Sequence, residues 1–333
     1  MNGVSILIPT HNRARILGQT LESLSKMELP SGVPVEVVVV ANACTDDTVA
    51  VAEAMFAKLP FQGKCIVEPR ANLSIARNTA VRHSQHEICA MLDDDVWVHH
   101  RWLKATVAAY RDPDVAIVAG HIELWWKDVT RPEWFMPMMD SLLTQKDFGS
   151  APRRMYSPYD AAGANFSFRR AVFDGIGPYV EGLGRTGGNV GLSAEESEFL
   201  QRALASGYHM YYFPEVSIKH WVAPTRIEMA YLERVSFANA ASRTLIKPRF
   251  GPRAVVRCMG GNAVAYVLHF LRGVYYRLLG NRAEQSASKL RMAGSRGAWY
   301  GLWLRLTGRS PMRLAGSGAP QPVPLLPEQT LRS

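Results

Sequence analysis

Residues 87–95 have the sequence EICAMLDDD, a short apolar run that leads directly into three consecutive aspartates. An apolar run of this length is typical of a strand buried on both faces of a sheet. Three adjacent carboxylates repel one another unless a cation or a helix N-terminus compensates them. Carboxylate oxygens are also the ligands that Mg²⁺ and Mn²⁺ prefer. The stretch therefore predicts either a divalent-metal site or an acidic cap on the helix expected near Trp102.

The sequence before this run alternates strand and helix signals. Residues 4–9 (VSILIP), 35–41 (VEVVVVA) and 64–68 are strand candidates, and helical periodicity follows each of them. Thr45 or Asp46 is expected to cap the helix after the second strand. Repeated β-α-β order implies a parallel sheet with right-handed crossovers, which binds ligands beyond the carboxyl ends of its strands. The loops after these strands are therefore expected to meet the three aspartates.

Several polar side chains in or near these loops have both a functional and a structural interpretation. Residues 9–13 (PTHNR) suit a nucleotide or anion, but equally an ordinary polar turn. Arg77, at a helix start, could pair with a diphosphate, pair with the aspartates, or be purely structural. Residues 194–198 (AEESE) place three acids in four positions, more than a helix N-terminus needs, so that one could be a general base. His220 is a metal-ligand candidate or an ordinary polar residue.

The middle of the chain is less regular. Residues 122–161 are expected to form a loop-rich aromatic stretch, and residues 182–191 a glycine-rich loop. Residues 210–221 (MYYFPEVSIKHW) predict two short strands interrupted by Pro214.

Composition restricts the class of protein. The 333 residues are 47% hydrophobic and 20% charged, which excludes a chain disordered throughout. Four cysteines lie far apart without a paired motif, which favours reduced thiols over disulfides or a cysteine zinc site. The first residues lack the pattern of a signal peptide, so we expect a cytoplasmic protein.

Charge separates the C-terminal part from the rest. Residues 1–230 carry 22 basic and 26 acidic side chains, whereas residues 231–333 carry 16 and 3, a net charge of +13. The apolar residues 258–271 are fewer than the roughly 20 needed to span a bilayer, which predicts a helix lying on an anionic membrane. A packing segment or oligomer interface is the alternative. Nucleic acid is not expected as a partner, because the acidic part of the chain would repel it.

Five stretches, in this order, resemble the bacterial family 2 glycosyltransferases of the GT-A fold. They cover about residues 3–222: VSILIPTHNR, VVVVANACTDDT, LSIARNTAV followed by EICAMLDDD, GANFSFRRAVFDGIGPY, and AEESEFLQRALASGYHMYYFPEVSIKH. The resemblance implies an α/β fold with a Rossmann-like, mostly parallel sheet flanked by helices, followed by a C-terminal helical extension. The expected divisions are a GT-A domain at 1–225, with a nucleotide-sugar half at about 1–120 and an acceptor half at 121–225, a basic helical extension at 226–310, and a disordered tail at 311–333.

The resemblance also implies roles for individual residues. The residues expected to contact the nucleotide sugar are Thr10, Asn12, Arg13, Asn42, Arg77, Asp93 and Asp94. The expected metal ligands are Asp95, or Asp94 if the register differs by one, and His220. Glu196 matches the base that deprotonates the acceptor hydroxyl, and Glu195 precedes it where relatives usually have Glu-Asp. Relatives usually carry an acidic residue at Asn42, so UDP is only the default nucleotide.

The function implied is a metal-dependent, inverting glycosyltransferase that uses Mn²⁺ or Mg²⁺. It would move a sugar from a nucleoside-diphosphate sugar to a hydroxyl of a lipid-linked or polysaccharide acceptor in bacterial cell-surface glycan biosynthesis. Its expected location is peripheral, on the cytoplasmic face of the inner membrane. Two alternatives remain at this stage: a nucleotidyltransferase, although PTHNRAR lacks a glycine-rich phosphate loop, and a catalytically idle sugar-nucleotide or membrane-binding protein.

Overall fold

A computed structural model describes residues 2–185, 192, 194–247 and 251–309. Its strands are β1 (Val4–Thr10), β2 (Val35–Asn42), β3 (Gln62–Glu68), β4 (Ile88–Leu92), β5 (Val96–Val98), β6 (Ile117–Trp125), β7 (Arg153–Met155), β8 (Asn165–Arg169) and β9 (Met210–Trp221). Its helices are α1 (Ala14–Ser25), α2 (Thr48–Phe56), α3 (Leu73–His83), α4 (Trp102–Ala109), α5 (Arg170–Ile176), α6 (Glu195–Ala205), α7 (Met229–Ile246), α8 (Pro252–Leu278) and α9 (Arg282–Leu306). The tail predicted at 311–333 and residues 186–191 of the predicted loop lie outside the described residues.

The described strands form one mixed sheet in the order β3-β2-β1-β4-β8-β6-β9-β5, with β7 paired to β9. The predicted β-α-β part is confirmed, because β3, β2, β1 and β4 are all parallel. Beyond β4 the pairing becomes antiparallel at β8. Alternate residues of β1 enter two apolar cores, Ile6 facing α1 and Leu7 facing α3. Helices thus cover both faces, which explains why this strand is apolar along almost its whole length.

Strand β9 corrects the prediction of two short strands at residues 210–221. It is a single strand whose pairing with β6 shifts register, so that Gly120 lies opposite Phe213 but His121 lies opposite Ser217. Pro214 falls in this bulge, where the missing N–H interrupts no ladder bond. The buried Asn165 fills the bulge by donating to the carbonyls of His121 (2.9 Å) and Val216 (2.8 Å).

The start of α2 also differs from the prediction. The helix begins at Thr48, and its N-cap residue is Asp47 rather than Thr45 or Asp46. Asp46 remains close, because its Oδ1 accepts from the Thr48 amide at 3.1 Å. Thr45 instead donates its amide to Asn12 in the neighbouring loop, at 2.7 Å.

The C-terminal helices stack in the order α7, α9, α8. Gly297 and Gly301 of α9 allow close approach to α7, since an added Cβ would lie 2.0 Å from the Phe237 carbonyl oxygen and 2.3 Å from that of Ala241. Leu232 of α7 packs with Leu124 and Leu143, which joins the helices to the body of the molecule.

Helix α8 is the outermost layer of this stack. Residues Arg253–Leu278 are long and apolar enough to cross a membrane by length and composition, and none of their apolar window is buried. The expectation that this segment is too short to span is therefore corrected, because it considered only residues 258–271. The exposed apolar side chains of α8 are Val256, Met259, Val264, Val267, Leu268, Phe270, Leu271, Val274, Tyr275 and Leu278.

Candidate active site

Asp93, Asp95 and His220 form a cluster that could hold a metal ion. The aspartates lie in the short turn between β4 and β5, and the pairing of β5 with β9 places Val96 opposite His220. One ligand atom from each of the three side chains lies within 4.8 Å of the others. The sequence prediction of Asp95 and His220 as ligands is consistent with this grouping, and Asp93 joins them.

The chemistry of this cluster fits a divalent cation. His220 Nδ1 contacts the Leu143 carbonyl oxygen at 3.1 Å, and in the tautomer that donates a proton there the lone pair of the ring lies on Nε2. That Nε2 lies 3.1 Å from Asp95 Oδ1, a buried oxygen without a hydrogen bond in the described structure. Two electron-pair donors that face each other in this way are suited to share a cation.

Two arginines already compensate Asp95. Its Oδ2 accepts from Arg226 Nη2 at 2.6 Å and from Arg13 Nη1 at 2.7 Å. Burial alone would raise the pKa of Asp95, but the charges of Arg226 and Arg13 outweigh it and hold the pKa well below its usual value. Arg226 was not predicted from the sequence. The only signal for it is a basic residue six positions after His220, at the start of an already basic segment.

Asp94 faces away from this cluster. It accepts from Thr10 Oγ1 at 2.6 Å and from Arg13 Nη1 at 2.9 Å. Burial, together with the charge of Asp95 and against that of Arg13, raises its pKa to about 6. The alternative prediction of Asp94 as a metal ligand stays a prediction: the candidate metal group does not include it, and in this structure its carboxylate holds Thr10 and Arg13 in the first loop.

The other predicted nucleotide residues also bind neighbouring loops. Asn12 has φ of 52° and accepts the Thr45 amide, which ties the loops after β1 and β2 together. Asn42 is buried; its amide nitrogen donates to the Arg70 carbonyl at 2.7 Å and its oxygen accepts from the Asn72 amide at 2.9 Å. Both ends of the Asn42 amide bind neighbouring backbone in this structure, so the residue holds these loops together; its predicted contact with a nucleobase stays a prediction.

Arg77 joins the predicted catalytic glutamates to the metal corner. Its Nη1 donates to Glu195 Oε1 at 2.8 Å and to Glu196 Oε2 at 3.3 Å, and its Nη2 lies 3.9 Å from Asp93 Oδ1. The predicted diphosphate contact is therefore replaced in this structure by carboxylates. Gly163 makes room for the guanidinium, since a Cβ there would lie 1.9 Å from Nη2. The sequence did not indicate that Arg77 needs a glycine beside it, because Arg77 and Gly163 are 86 positions apart.

The two glutamates differ in protonation. Burial, and then the charge of Glu196, raises the pKa of Glu195 to about 8. Burial acts in the same direction on Glu196, but Arg77 and a hydrogen bond from Glu195 outweigh it and lower its pKa. These opposite shifts favour the proton on Glu195 and the charge on Glu196. The Glu196 side chain is also 21% exposed, whereas that of Glu195 is 2% exposed, so Glu196 is the better placed of the two carboxylates to accept a proton.

A cavity of about 370 Å³ opens over Glu196. Asp93, His220 and Arg226 line it at the metal corner, while Thr10, Asn12, Arg13 and Asn42 do not line it. These four side chains of the loops after β1 and β2 therefore form no part of the cavity wall. Helix α7, in the predicted basic extension, supplies one wall through Tyr231, Val235, Ser236, Asn239, Ala240, Ser242 and Arg243.

The family model described as Glycosyl transferase family 2 matches residues 5–177 of this chain. The chain belongs to this family. Among curated relatives, this family 2 glycosyltransferase is 26% identical over 242 residues to the succinoglycan biosynthesis protein ExoM of Rhizobium meliloti, covering 71% of this chain and 72% of the relative. It is 24% identical over 248 residues to the glucosyl-dolichyl phosphate glucuronosyltransferase of Haloferax volcanii, covering 73% and 77%.

A solved structure confirms the GT-A fold of this family 2 glycosyltransferase. The mannosyltransferase PcManGT of Pyrobaculum calidifontis, solved with GDP-Man and Mn²⁺, aligns with a TM-score of 0.62 and 19% identity over 90% of this chain and 87% of its own. The predicted fold and enzyme class are confirmed, and the nucleotidyltransferase and idle-protein alternatives are set aside.

Proposed function

We propose that this family 2 glycosyltransferase moves a sugar from a nucleoside-diphosphate sugar to an acceptor hydroxyl with inversion of the anomeric carbon. The observation that carries the proposal is that Glu196, held by Arg77, lines one cavity together with Asp93 and His220 of the metal cluster. We name this cavity over Glu196, walled on one side by α7, the acceptor-side cavity. A carboxylate in this position can take the hydroxyl proton as the oxygen attacks. A single direct displacement inverts the configuration.

The surrounding side chains would prepare this step. Arg77 keeps Glu196 ionised and fixes its orientation, and Glu195 retains its own proton and so does not compete as a base. Asp93, Asp95 and His220 would hold Mn²⁺ or Mg²⁺, which supplies Lewis-acid stabilisation of the departing diphosphate. Thr10 and Arg13 lie beside this cluster through Asp94 and Asp95, where the nucleotide would bind.

The same proposal includes the identity of the donor nucleotide and the class of the acceptor. UDP remains the default donor nucleotide, and GDP is the second candidate because the structural neighbour PcManGT was solved with GDP-Man. A lipid-linked or polysaccharide acceptor in bacterial cell-surface glycan synthesis is supported by the names of the two curated relatives, one a succinoglycan biosynthesis protein and one acting on a dolichyl phosphate.

We also infer that α8 holds the enzyme on the cytoplasmic face of the inner membrane. Its exposed apolar side chains lie beside Arg257, Arg272 and Arg277 in a segment of net charge +13. An anionic bilayer surface complements both features, because apolar side chains enter the headgroup region while arginines meet lipid phosphates.

Replacing Glu196 tests the proposed chemistry. Glu196→Gln keeps the shape but removes the proton acceptor, so hydrolysis of a UDP- or GDP-sugar with Mn²⁺, using water as the acceptor, should fall about 100- to 10,000-fold. Affinity for UDP with Mn²⁺, measured by calorimetry, should stay within about threefold, because the base does not bind the leaving group. Glu195→Gln is the matched control and should reduce turnover far less.

Two results would contradict the proposal. Full activity of Glu196→Gln would place the base elsewhere. Failure of the wild type to bind either nucleoside diphosphate in the presence of Mn²⁺ would remove the donor assignment itself.

A further inference from the structure

Two cations in the acceptor-side cavity take no part in the mechanism described above. Lys146 follows the short 3₁₀ helix Pro137–Leu143, and Arg243 lies near the end of α7. Both meet at Tyr159: the Lys146 Nζ donates to its carbonyl oxygen at 2.6 Å, and the Arg243 guanidinium carbon lies 4.8 Å from its ring centre. All three side chains line the cavity.

Among the residues that the structure describes, neither Lys146 nor Arg243 forms an ion pair. The acidic residues of the same cavity are already engaged, since Glu195 and Glu196 contact Arg77 and Asp93 belongs to the metal cluster. Burial lowers the pKa of Lys146, the charges of Glu196 and Asp160 partly offset this, and the charge of Arg243 adds a smaller lowering. An anion between the two cations would offset both the burial of the ammonium group and its repulsion by Arg243.

We infer that Lys146 and Arg243 form an anion-binding subsite for the acceptor, which carries a phosphate or a carboxylate close to the hydroxyl that reacts. The inference rests on the proposed function, which makes this cavity the acceptor site. Guanidinium and ammonium groups both bind such anions through charge-assisted hydrogen bonds. Ser236 and Asn239 of the same wall provide neutral hydrogen-bonding groups for the sugar hydroxyls.

The diphosphate of the donor is not the anion that this subsite would bind. The metal cluster and Arg13 provide the cationic surroundings for that group. Lys146 and Arg243 line the cavity over Glu196, whose walls do not include Thr10, Asn12, Arg13 or Asn42 of the nucleotide loops. An acceptor held by its anion at Tyr159 would therefore reach Glu196 without using the side chains that hold the diphosphate.

The test uses small sugars as probes on the full chain, with UDP and Mn²⁺ at saturation so that the diphosphate site is filled. Glucuronate, glucose 1-phosphate and neutral glucose are titrated by calorimetry. The wild type should bind at least one of the two anionic sugars about tenfold or more tightly than glucose, since hydrogen bonds to charged groups are stronger than those between neutral groups. Whichever anion binds identifies phosphate or carboxylate as the group recognised.

Variants separate this subsite from a structural role of the same residues. Lys146→Met and Arg243→Gln should each reduce the preference for the anionic sugar to within about threefold of glucose, while UDP affinity stays unchanged. Arg243→Gln removes no hydrogen bond to another described residue, so it should fold normally. Arg234→Gln is the matched control, because Arg234 is exposed on the same helix but does not line the cavity.

The outcomes are distinguishable. Equal affinity for glucose and both anions, or wild-type anion binding by both variants, overturns the subsite while leaving the proposed function intact. Loss of UDP binding by the wild type would instead overturn the proposed function.

Discussion

Arg226 lies beside the metal cluster, where its positive charge competes with a metal ion for Asp95 and His220. Its guanidinium contacts both Asp95 Oδ2 and His220 Nε2, at 2.6 and 3.3 Å. Arg226→Ala should lower the melting temperature without metal, because the loss of a charged hydrogen bond to a buried carboxylate costs about 1–3 kcal/mol. Added Mn²⁺ should then raise the melting temperature of the variant more than that of the wild type, because a ligand that binds the folded state stabilises it in proportion to affinity.

The comparison is a thermal-shift titration with Mn²⁺ on both proteins. A smaller rise in the variant than in the wild type would mean that Arg226 assists metal binding rather than competing with it.

Glu195 should make stability depend on pH. Its pKa is about 8 in the folded protein against 4.5 for an ordinary glutamate, so unfolding releases a proton between these values. This contribution to stability is complete below pH 4.5 and is lost as the pH rises to 8, by at most about 1.4 kcal/mol per pH unit. Glu195→Gln cannot ionise, so the difference in unfolding free energy between it and the wild type should grow steadily across that window. A constant difference from pH 5 to 8 would show that Glu195 is already ionised.

For individual residues, the sequence predicted which types of side chain form the site better than it predicted which groups they contact. The aspartate triplet and His220 were recognisable because their types suit a metal. Whether Asp94 or Asp95 faces that metal depends on the path of a three-residue turn, which composition does not specify. Arg77 and Lys146 are likewise positioned by partners far away in the sequence, so their roles became visible only in the fold.

The contact between α7 and α9 depends on glycine. A Cβ at Gly301 would lie 2.3 Å from the Ala241 carbonyl oxygen, so Gly301→Ala must push the two backbones apart and should destabilise the protein by about 1–3 kcal/mol. Gly260 is the control, because it is helical and nothing lies within 4 Å of its Cβ position. Gly260→Ala should stabilise by about 0.5–1 kcal/mol through helix propensity. Chemical denaturation measures both values, and equal effects of the two substitutions would refute the close-packing argument.

Elements that follow hydrophobic periodicity were predicted well, as the strands and helices up to β4 show. The errors occur where another interaction overrides the local signal. Pro214 suggested a break in β9, but a bulge filled by Asn165 accommodates it. No pattern local to residues 210–221 indicates that Asn165, some 50 residues earlier, would supply those hydrogen bonds.

The whole molecule should bind anionic vesicles through α8. Leu268→Glu combined with Leu271→Glu places two charges on its exposed face and should weaken binding about tenfold or more, since burying one such side chain contributes about 1.5–3 kcal/mol. Val67→Glu combined with Tyr156→Glu is the matched control, because both residues are exposed and lie outside α8. Co-sedimentation at low salt measures binding, and added salt should weaken it.

Absence of wild-type binding at low salt would contradict the membrane assignment. Retention of the protein in cell membranes after alkaline carbonate washing would indicate that α8 crosses the bilayer instead of lying on it.

Dividing the chain by charge alone did not predict the contacts between the basic C-terminal segment and the rest of the molecule. The basic C-terminal segment was recognised as a separate electrostatic region, yet α7 forms a wall of the cavity and joins an apolar cluster with Leu124. Net charge carries no information about which helix face turns inward. Deleting everything after residue 225 would therefore expose this core as well as remove α8, which is why point substitutions are the better membrane test.

The bulge at Gly120 in the β6–β9 pairing exchanges the two faces of β9. Before it, Met210 and Tyr212 enter the apolar core that contains α3, whereas after it Val216 and Ile218 enter the core that contains α1. His220 continues the alternation of Val216 and Ile218, so the bulge decides which face of the sheet the histidine occupies. Related chains in which β6 and β9 pair without this bulge should therefore lack a metal-ligating histidine at this position.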